Sequence, residues 1–366
     1  MVSSVSWWAF EDSFRNVGRA RLFLMLPVGP RNGNTHVRKR TVNSQRGCAW
    51  RRSGLPRSGA RRRVRAVRAY ARLAMPELPD LAILADALDV ALAGRPFAGA
   101  TVKESLVVRG TPAEIAAIED QRLNTVVRRG KFLVFQFARD RIVFNPMLTG
   151  RLGLAPGGAK AWGQWAVVFR FGPADEQAGV VAAHEWPAIA ASWLPPRNAE
   201  VELRYRDATR MGKIYVMPEG VARPMAGWEE QGPDADDPAL TLDAWRARIA
   251  KYQGELKNVL RNQQFVSGIG NAYSDEILWA ARLAPFRKRS SLAPDEVDAL
   301  YAATREVLAW AVGELRELVP PRLEVEQREF LKVHRKGGST CPRCGSKLSE
   351  VSAGGFVTTY CRTCQR

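Results

Sequence analysis

Met75-Pro76-Glu77-Leu78-Pro79-Asp80 divides this chain in two. Behind it lie residues 1–74, which carry no hydrophobic periodicity. Ahead of it the pattern of a folded body begins. Asp80 is placed to cap a helix whose apolar positions Leu81, Leu84, Leu88 and Leu92 share one face, and Gly94 is placed to end it. The same six residues also bear on chemistry. If translation starts at Met75 and that methionine is removed, Pro76 presents a free secondary amine beside the carboxyl of Glu77. A free amine attacks a sugar or carbonyl carbon and forms a Schiff base. Joined to Met75, the nitrogen belongs to an amide, shares its lone pair with the carbonyl and cannot attack.

The charge divides at the same point. Residues 1–74 hold 17 Lys and Arg, 16 of them Arg, against Glu11 and Asp12, a net of +15 out of +18 for the chain. Residues 75–366 keep 38 basic and 35 acidic side chains, so net charge alone does not make the body a nucleic-acid binder. Three readings fit the arm: a disordered basic extension, an Arg-rich transit peptide, or an upstream frame that is not part of the functional protein. The expectation is the last, with the active chain starting at Met75. Leu22–Leu26 is far too short for a membrane span, which takes about 20 apolar residues. Four of the five cysteines fall near the C-terminus. That is no disulfide framework and fits a reducing, cytoplasmic or nucleoid location.

Along the body, short β-rich runs follow the first helix: Leu123–Arg128, Lys131–Phe137, Arg141–Phe144, Trp165–Phe171, Val201–Tyr205 and Lys213–Met217. Arg129-Gly130 and Arg139-Asp140 read as hairpin turns, and the close spacing predicts a sandwich or barrel of antiparallel strands. Residues 222–240 read as a polar linker. Helical periodicity then covers Leu242–Lys251, Glu255–Asn262, Ala272–Ala281 and Pro294–Leu318.

Two further constellations carry chemistry. Cys341-Pro-Arg-Cys344 and Cys361-Arg-Thr-Cys364 offer four thiolates from two tight turns. This is the tetrahedral set of a closed, structural zinc site, one ion per chain. Arg343, Lys347, Arg362 and Arg366 flank it and suit a phosphate backbone. Gly268-Ile269-Gly270-Asn271 stands before a helix. Its glycines permit close approach, and the helix start offers amides to an anion, with Lys257 and Asn271 in reach of the same phosphate.

Taken together and in order, these motifs resemble the formamidopyrimidine-DNA glycosylase/endonuclease VIII family over essentially all of 75–366. The residues that carry the resemblance are Met-Pro-Glu-Leu-Pro at the start, Arg-Arg-Gly-Lys131 in a hairpin and Phe144-Asn-Pro-Met-Leu-Thr-Gly-Arg151. Asp207–Gly212, Gly-Ile-Gly-Asn-Ala-Tyr-Ser-Asp-Glu at 268–276 and the four-cysteine finger complete the set. The resemblance implies an α+β protein. Its parts are a two-layer antiparallel β-sandwich with a flanking helix at 75–221, a helix-two-turn-helix domain at 241–331 and a β-hairpin zinc finger at 332–366. It implies double-stranded DNA with a damaged base or abasic site as partner, no membrane, and a monomer. It implies a glycosylase and abasic-site lyase of base excision repair, acting by Schiff-base chemistry and β,δ-elimination on a flipped nucleotide.

By match, Pro76 is the nucleophile and Glu77 the proton carrier. Lys131, Lys257 and Asn271, with Gly268 and Gly270, serve phosphates near the lesion. Leu148 is the wedge that fills the gap in the stack, and Arg210 and Met211 stand in the intercalating loop. The chain departs from the family in the segment that begins with Asn145, where a His is usual, at Leu148 for Met, and at Ala208-Thr209 for Pro-Arg. Met211 replaces Phe, and Asp80 replaces the usual glutamate. Phe356 stands two residues before Thr358, where the family's finger carries a phosphate-binding arginine. A second reading, a non-catalytic binder of damaged DNA on the same scaffold, rests on that loss and on the amide form of Pro76. The preferred lesion depends on pocket loops that the sequence does not align.

Overall fold

A computed structural model describes residues 75–160, 164–174, 193–353 and 355–366. The basic extension, including Cys48, lies outside the described residues. The first helix, α1 (Leu78–Leu92), begins one turn earlier than expected. Glu77 is its N-cap, and Asp80 sits inside the first turn, accepting the Glu77 N–H at 2.7 Å. This is one half of a capping box, in which a third-position carboxylate satisfies an N–H that the helix cannot. Gly94, at φ +80°, follows the last turn in the left-handed conformation that glycine adopts without strain.

The strands are β1 (Phe97–Val102), β2 (Val108–Arg109), β3 (Thr125–Arg129), β4 (Phe132–Gln136), β5 (Arg141–Asn145), β6 (Gly150–Pro156), β7 (Val167–Phe171), β8 (Val201–Asp207) and β9 (Lys213–Met217). A short helix, α2 (Pro112–Ala116), interrupts them. They form two sheets, β1-β7-β8-β6 and β2-β9-β5-β4-β3. Neighbours are antiparallel except β2 and β9, which run parallel. Of the two expectations, sandwich or barrel, the separate sheets make it a sandwich. Phe144 of one sheet meets Phe169 and Tyr205 of the other at ring-centroid distances of 5.4 and 6.0 Å, so the aromatic inner faces close the layer between them. β1 and β6 were missed in sequence because Gly99, Gly150 and Gly153 interrupt their β pattern. Among the described residues, no helix is long and apolar enough to cross a membrane.

The second half holds α3 (Leu242–Ile249), α4 (Leu256–Arg261), α5 (Asn271–Ala280) and the long α6 (Pro294–Leu318). Their apolar stripes enclose a second core around Trp245, Phe265, Ile269 and Tyr273, to which Leu78 of α1 contributes. α6 serves both cores. Leu300, Val307 and Leu308 pack in the helical one and Leu315 in the sandwich. Residues 222–240 do not run free. Met225 and Trp228 are buried against Phe132, Val134 and Tyr215. The chain closes with a hairpin of β10 (Ser349–Ala353) and β11 (Phe356–Tyr360).

Candidate active site and nucleic-acid interface

The carboxylate of Glu77 is buried and accepts three backbone N–H groups at the start of α5. Gly270 donates at 2.6 Å, Ala272 at 2.8 Å and Tyr273 at 3.2 Å. The Leu78 N–H donates to the Gly268 carbonyl at 2.9 Å. A helix N-terminus presents unsatisfied amides and a positive dipole end, and here an internal carboxylate takes both. The helix start was expected to offer its amides to an anion, and the Gly270, Ala272 and Tyr273 amides here serve Glu77, while the Gly268 N–H donates to the Gln263 side chain at 3.0 Å. The lack of a side chain at Gly268 and Gly270 serves the neighbouring α1 start. A Cβ on Gly270 would stand 2.5 Å from the Glu77 carboxyl carbon, and one on Gly268 would stand 2.7 Å from Leu78. Pro76 is thereby fixed at the edge of the two halves.

Pro76 lines a small cavity of about 40 Å³ with Asp80, Pro146, Gly150, Arg151, Glu326 and Gln327. A chain of ion pairs frames it. Arg151 meets Glu326 at 2.8 Å, Glu326 meets Arg328 at 2.9 Å, and Arg328 meets Asp80 at 2.6 Å. Burial raises the Asp80 carboxyl to about 6, although the Arg328 guanidinium pulls the other way. A larger groove of about 680 Å³ opens beside it, sharing Arg151, Glu326 and Gln327 and running on to His334 and Lys336. Neither Glu326 nor Arg328 was singled out from sequence. Alternating charge in Glu324–Glu329 was the available signal, but it reads equally as a solvated face.

Lys131 occupies the β3–β4 turn. Because Arg129 pairs with Phe132, the turn residues are Gly130 and Lys131, one place later than expected. Gly130, at φ +57°, is tied through its N–H to Asp234 at 2.6 Å, and Asp234 also holds the Ser267 hydroxyl at 2.5 Å. The hairpin is thus pinned to the residue before Gly268. Burial lowers the Lys131 pKa, Glu77 opposes that and Arg261 adds to it, so both charges stand near the ammonium. Among the described residues Lys131 makes no ion pair.

Lys257, expected at a phosphate, has protein partners for its ammonium. Its ammonium is buried and spends its three protons on Asp275 at 2.6 Å, the Val357 carbonyl at 2.8 Å and the Thr358 hydroxyl at 2.9 Å. It ties α4 to α5 and to the finger. Asn271 gives one amide proton to the same Val357 carbonyl at 3.0 Å and keeps one. We expect Lys257→Met to destabilise the protein by about 3–5 kcal/mol, the cost of breaking a buried pair. At 2–4 °C per kcal/mol for a body of this size, melting should fall by about 10 °C. Calorimetry and a salt titration of DNA binding check this. An unchanged melting temperature with a flatter salt slope would restore the phosphate role.

The loop after β8 is built by Asp207, whose carboxylate accepts the Thr149 hydroxyl and the N–H groups of Thr209 at 3.1 Å and Gly212 at 2.7 Å. Met211 is presented at its tip, 47% exposed. Arg210, at φ +56°, is paired with the Glu104 carboxylate at 2.9 Å, so any DNA contact competes with that pair. Leu148 is half-buried in the β5–β6 connection.

In the finger, the four Sγ atoms of Cys341, Cys344, Cys361 and Cys364 lie within 4.8 Å of one another. Two of the separations are 3.9 and 3.5 Å. A tetrahedron of 2.3 Å zinc–sulfur bonds has edges of about 3.8 Å, so the set fits one structural zinc. Hydrogen bonding with Ser346 pulls the Cys344 thiol down to about 6, which favours the thiolate that a metal needs. Arg343 was expected on the DNA backbone. It instead lies over the Trp279 ring at 4.2 Å and donates to the Trp279 carbonyl at 2.8 Å, anchoring the finger to α5. Metal analysis should give one zinc per chain. Cys344→Ser should cut it below half an equivalent and loosen the hairpin on which Lys257 and Asn271 depend.

Known proteins match this arrangement in order. Residues 75–214 match the family model of the formamidopyrimidine-DNA glycosylase N-terminal domain, 231–317 that of its H2TH domain, and 338–366 that of the zinc finger found in FPG and IleRS. Formamidopyrimidine-DNA glycosylase of Exiguobacterium sibiricum is 28% identical over 299 residues, covering 80% of this chain and 99% of that protein. The Thermomicrobium roseum protein of the same name is 29% identical over 306 residues, with 80% and 99% covered. Among solved structures, Lactococcus lactis Fpg in complex with an N7-benzyl-Fapy-dG DNA shares the fold. Its TM-score is 0.66 at 22% identity, covering 80% of this chain and 100% of that one. Thermus thermophilus MutM gives 0.61 at 26% identity, covering 79% and 98%. With its sandwich, helical body and finger each matched in the family's own order, the chain belongs to the formamidopyrimidine-DNA glycosylase family.

Proposed function

We propose that this protein is a bifunctional DNA glycosylase and abasic-site lyase, and that its active form begins at Pro76. The observation that carries the reading is the clamp on Glu77. Three amides of α5 hold that carboxylate and so set Pro76, the next residue back, against a cavity flanked by Arg151, Glu326 and the Asp80–Arg328 pair. A free Pro76 nitrogen attacks C1′ of a flipped nucleotide. The bond from C1′ to the base breaks, and the base leaves with the electron pair and takes up a proton. Opening of the sugar ring gives the protonated Schiff base. Loss of a C2′ proton then expels the 3′ phosphate, and a further elimination expels the 5′ phosphate. Glu77, beside the amine, carries protons between nitrogen and sugar.

The zinc supplies no step in this scheme. Held by Cys341, Cys344, Cys361 and Cys364, it would tie the two turns of the finger together. Borohydride reduction of a mixture of the Pro76-initiated protein and an abasic-site duplex tests the reading, because it converts the Schiff base to a stable protein–DNA adduct. A chain that binds the duplex and yields no adduct would favour the binding-only alternative, which draws its support from the amide at Pro76 in the full-length chain.

A further inference from the structure

Arg261 ends α4 with its guanidinium carbon 3.7 Å from the ring centroid of Phe356, the first residue of β11. The side chain is half-buried, and among the described residues it has no hydrogen-bonded or ion-paired acceptor. Its charge is felt at Lys131, the other half-buried cation here without an acceptor, and Glu77 and Asp275 act on Arg261 in turn. Burial lowers the pKa of both cations, and the Glu77 carboxylate opposes it at each. Glu77 does not neutralise them by contact, since its oxygens are held by α5. Phe356 is 48% exposed and holds the planar guanidinium over its face, which fixes the direction of the unused N–H groups.

We propose that Arg261, stacked on Phe356, is a phosphate-positioning residue that works with Lys131 on the DNA backbone beside the reacting nucleotide. The proposal rests on the glycosylase reading above and adds to it a residue from the helical body. It gives Phe356 a role as well. At the finger position where the family resemblance leads one to expect an arginine, this chain has the aromatic platform that receives an arginine from α4. A phosphate oxygen pair suits the fork of a guanidinium, and Lys131 supplies a point charge beside it.

The test is equilibrium binding of the Pro76-initiated, zinc-loaded protein to a duplex with a tetrahydrofuran abasic analogue, across a chloride series. Each neutralised phosphate contributes about −0.9 to the slope of log K against log salt. Arg261→Gln should weaken binding about tenfold and flatten the slope by about 0.9, whereas Arg261→Lys should keep the slope. Arg261→Leu combined with Phe356→Arg should restore both, because the charge returns from the other side of the stack. Undamaged duplex should lose less on Arg261→Gln than the abasic analogue. An unchanged slope in Arg261→Gln, with wild-type binding and adduct formation intact, overturns this proposal and leaves the glycosylase reading standing. Absence of both binding and adduct in the wild type removes the reading and the proposal together. Equal losses on damaged and undamaged duplex overturn the placement beside the lesion.

Discussion

A protein that begins at Pro76 gives a borohydride-stable adduct with an abasic-site duplex, and a chain that still carries Met75 and everything before it gives none. The expected difference is all or nothing, because delocalisation into the carbonyl removes the lone pair the reaction needs. An unperturbed terminal amine has a pKa of about 7.7–8, so roughly a tenth or more of it is neutral and nucleophilic at pH 7. The fold reinforces the distinction. Pro76 is buried, and Glu77 and Leu78 immediately after it are locked to 268–273. Intact mass of the protein from its native host, with adduct assays on both forms, decides the matter. Adduct formation by an uncleaved chain starting at Met1 would falsify Pro76 as the nucleophile.

Glu77→Gln should reduce base excision by about 10²–10⁴, the range for removing a positioned proton carrier. The structure adds a second effect. A carboxylate receives the amides of Gly270, Ala272 and Tyr273, whereas a carboxamide offers one oxygen and turns an NH2 group towards the remaining donors. A buried donor left without its partner costs about 1–3 kcal/mol. Melting should therefore fall by several degrees alongside the loss of excision. Excision should be compared at a temperature where circular dichroism shows both proteins folded. Wild-type turnover in the folded variant would move the proton to another acid. Asp80, which lines the same cavity as Pro76 and whose carboxyl burial raises to about 6, is a candidate.

Much of the architecture was legible in the chain because the signals involved are local. The period of Leu81, Leu84, Leu88 and Leu92, the alternation in 131–137 and 213–217, and the two Cys-x-x-Cys turns each reflect neighbours a few residues apart. The sequence by itself determined the order of sandwich, helices and finger, the zinc ligands, and the pairing of a potential amine with Glu77. It did not determine which donors the protein itself occupies, and Lys257 and the Gly-Ile-Gly-Asn start show the difference. Lys257 is used up by Asp275, Val357 and Thr358, up to 101 residues away. The Gly270, Ala272 and Tyr273 amides at the start of α5 are taken by a carboxylate 193 to 196 residues earlier in the chain. Buried donors must find acceptors, and which acceptors arrive is settled by packing between segments that share no periodicity. Among the described residues, the same packing left the side chains of Lys131 and Arg261 without ion-pair partners. Only the tertiary structure decided which cations, among the described residues, are spent holding the protein together, because their partners come from segments far apart in the chain.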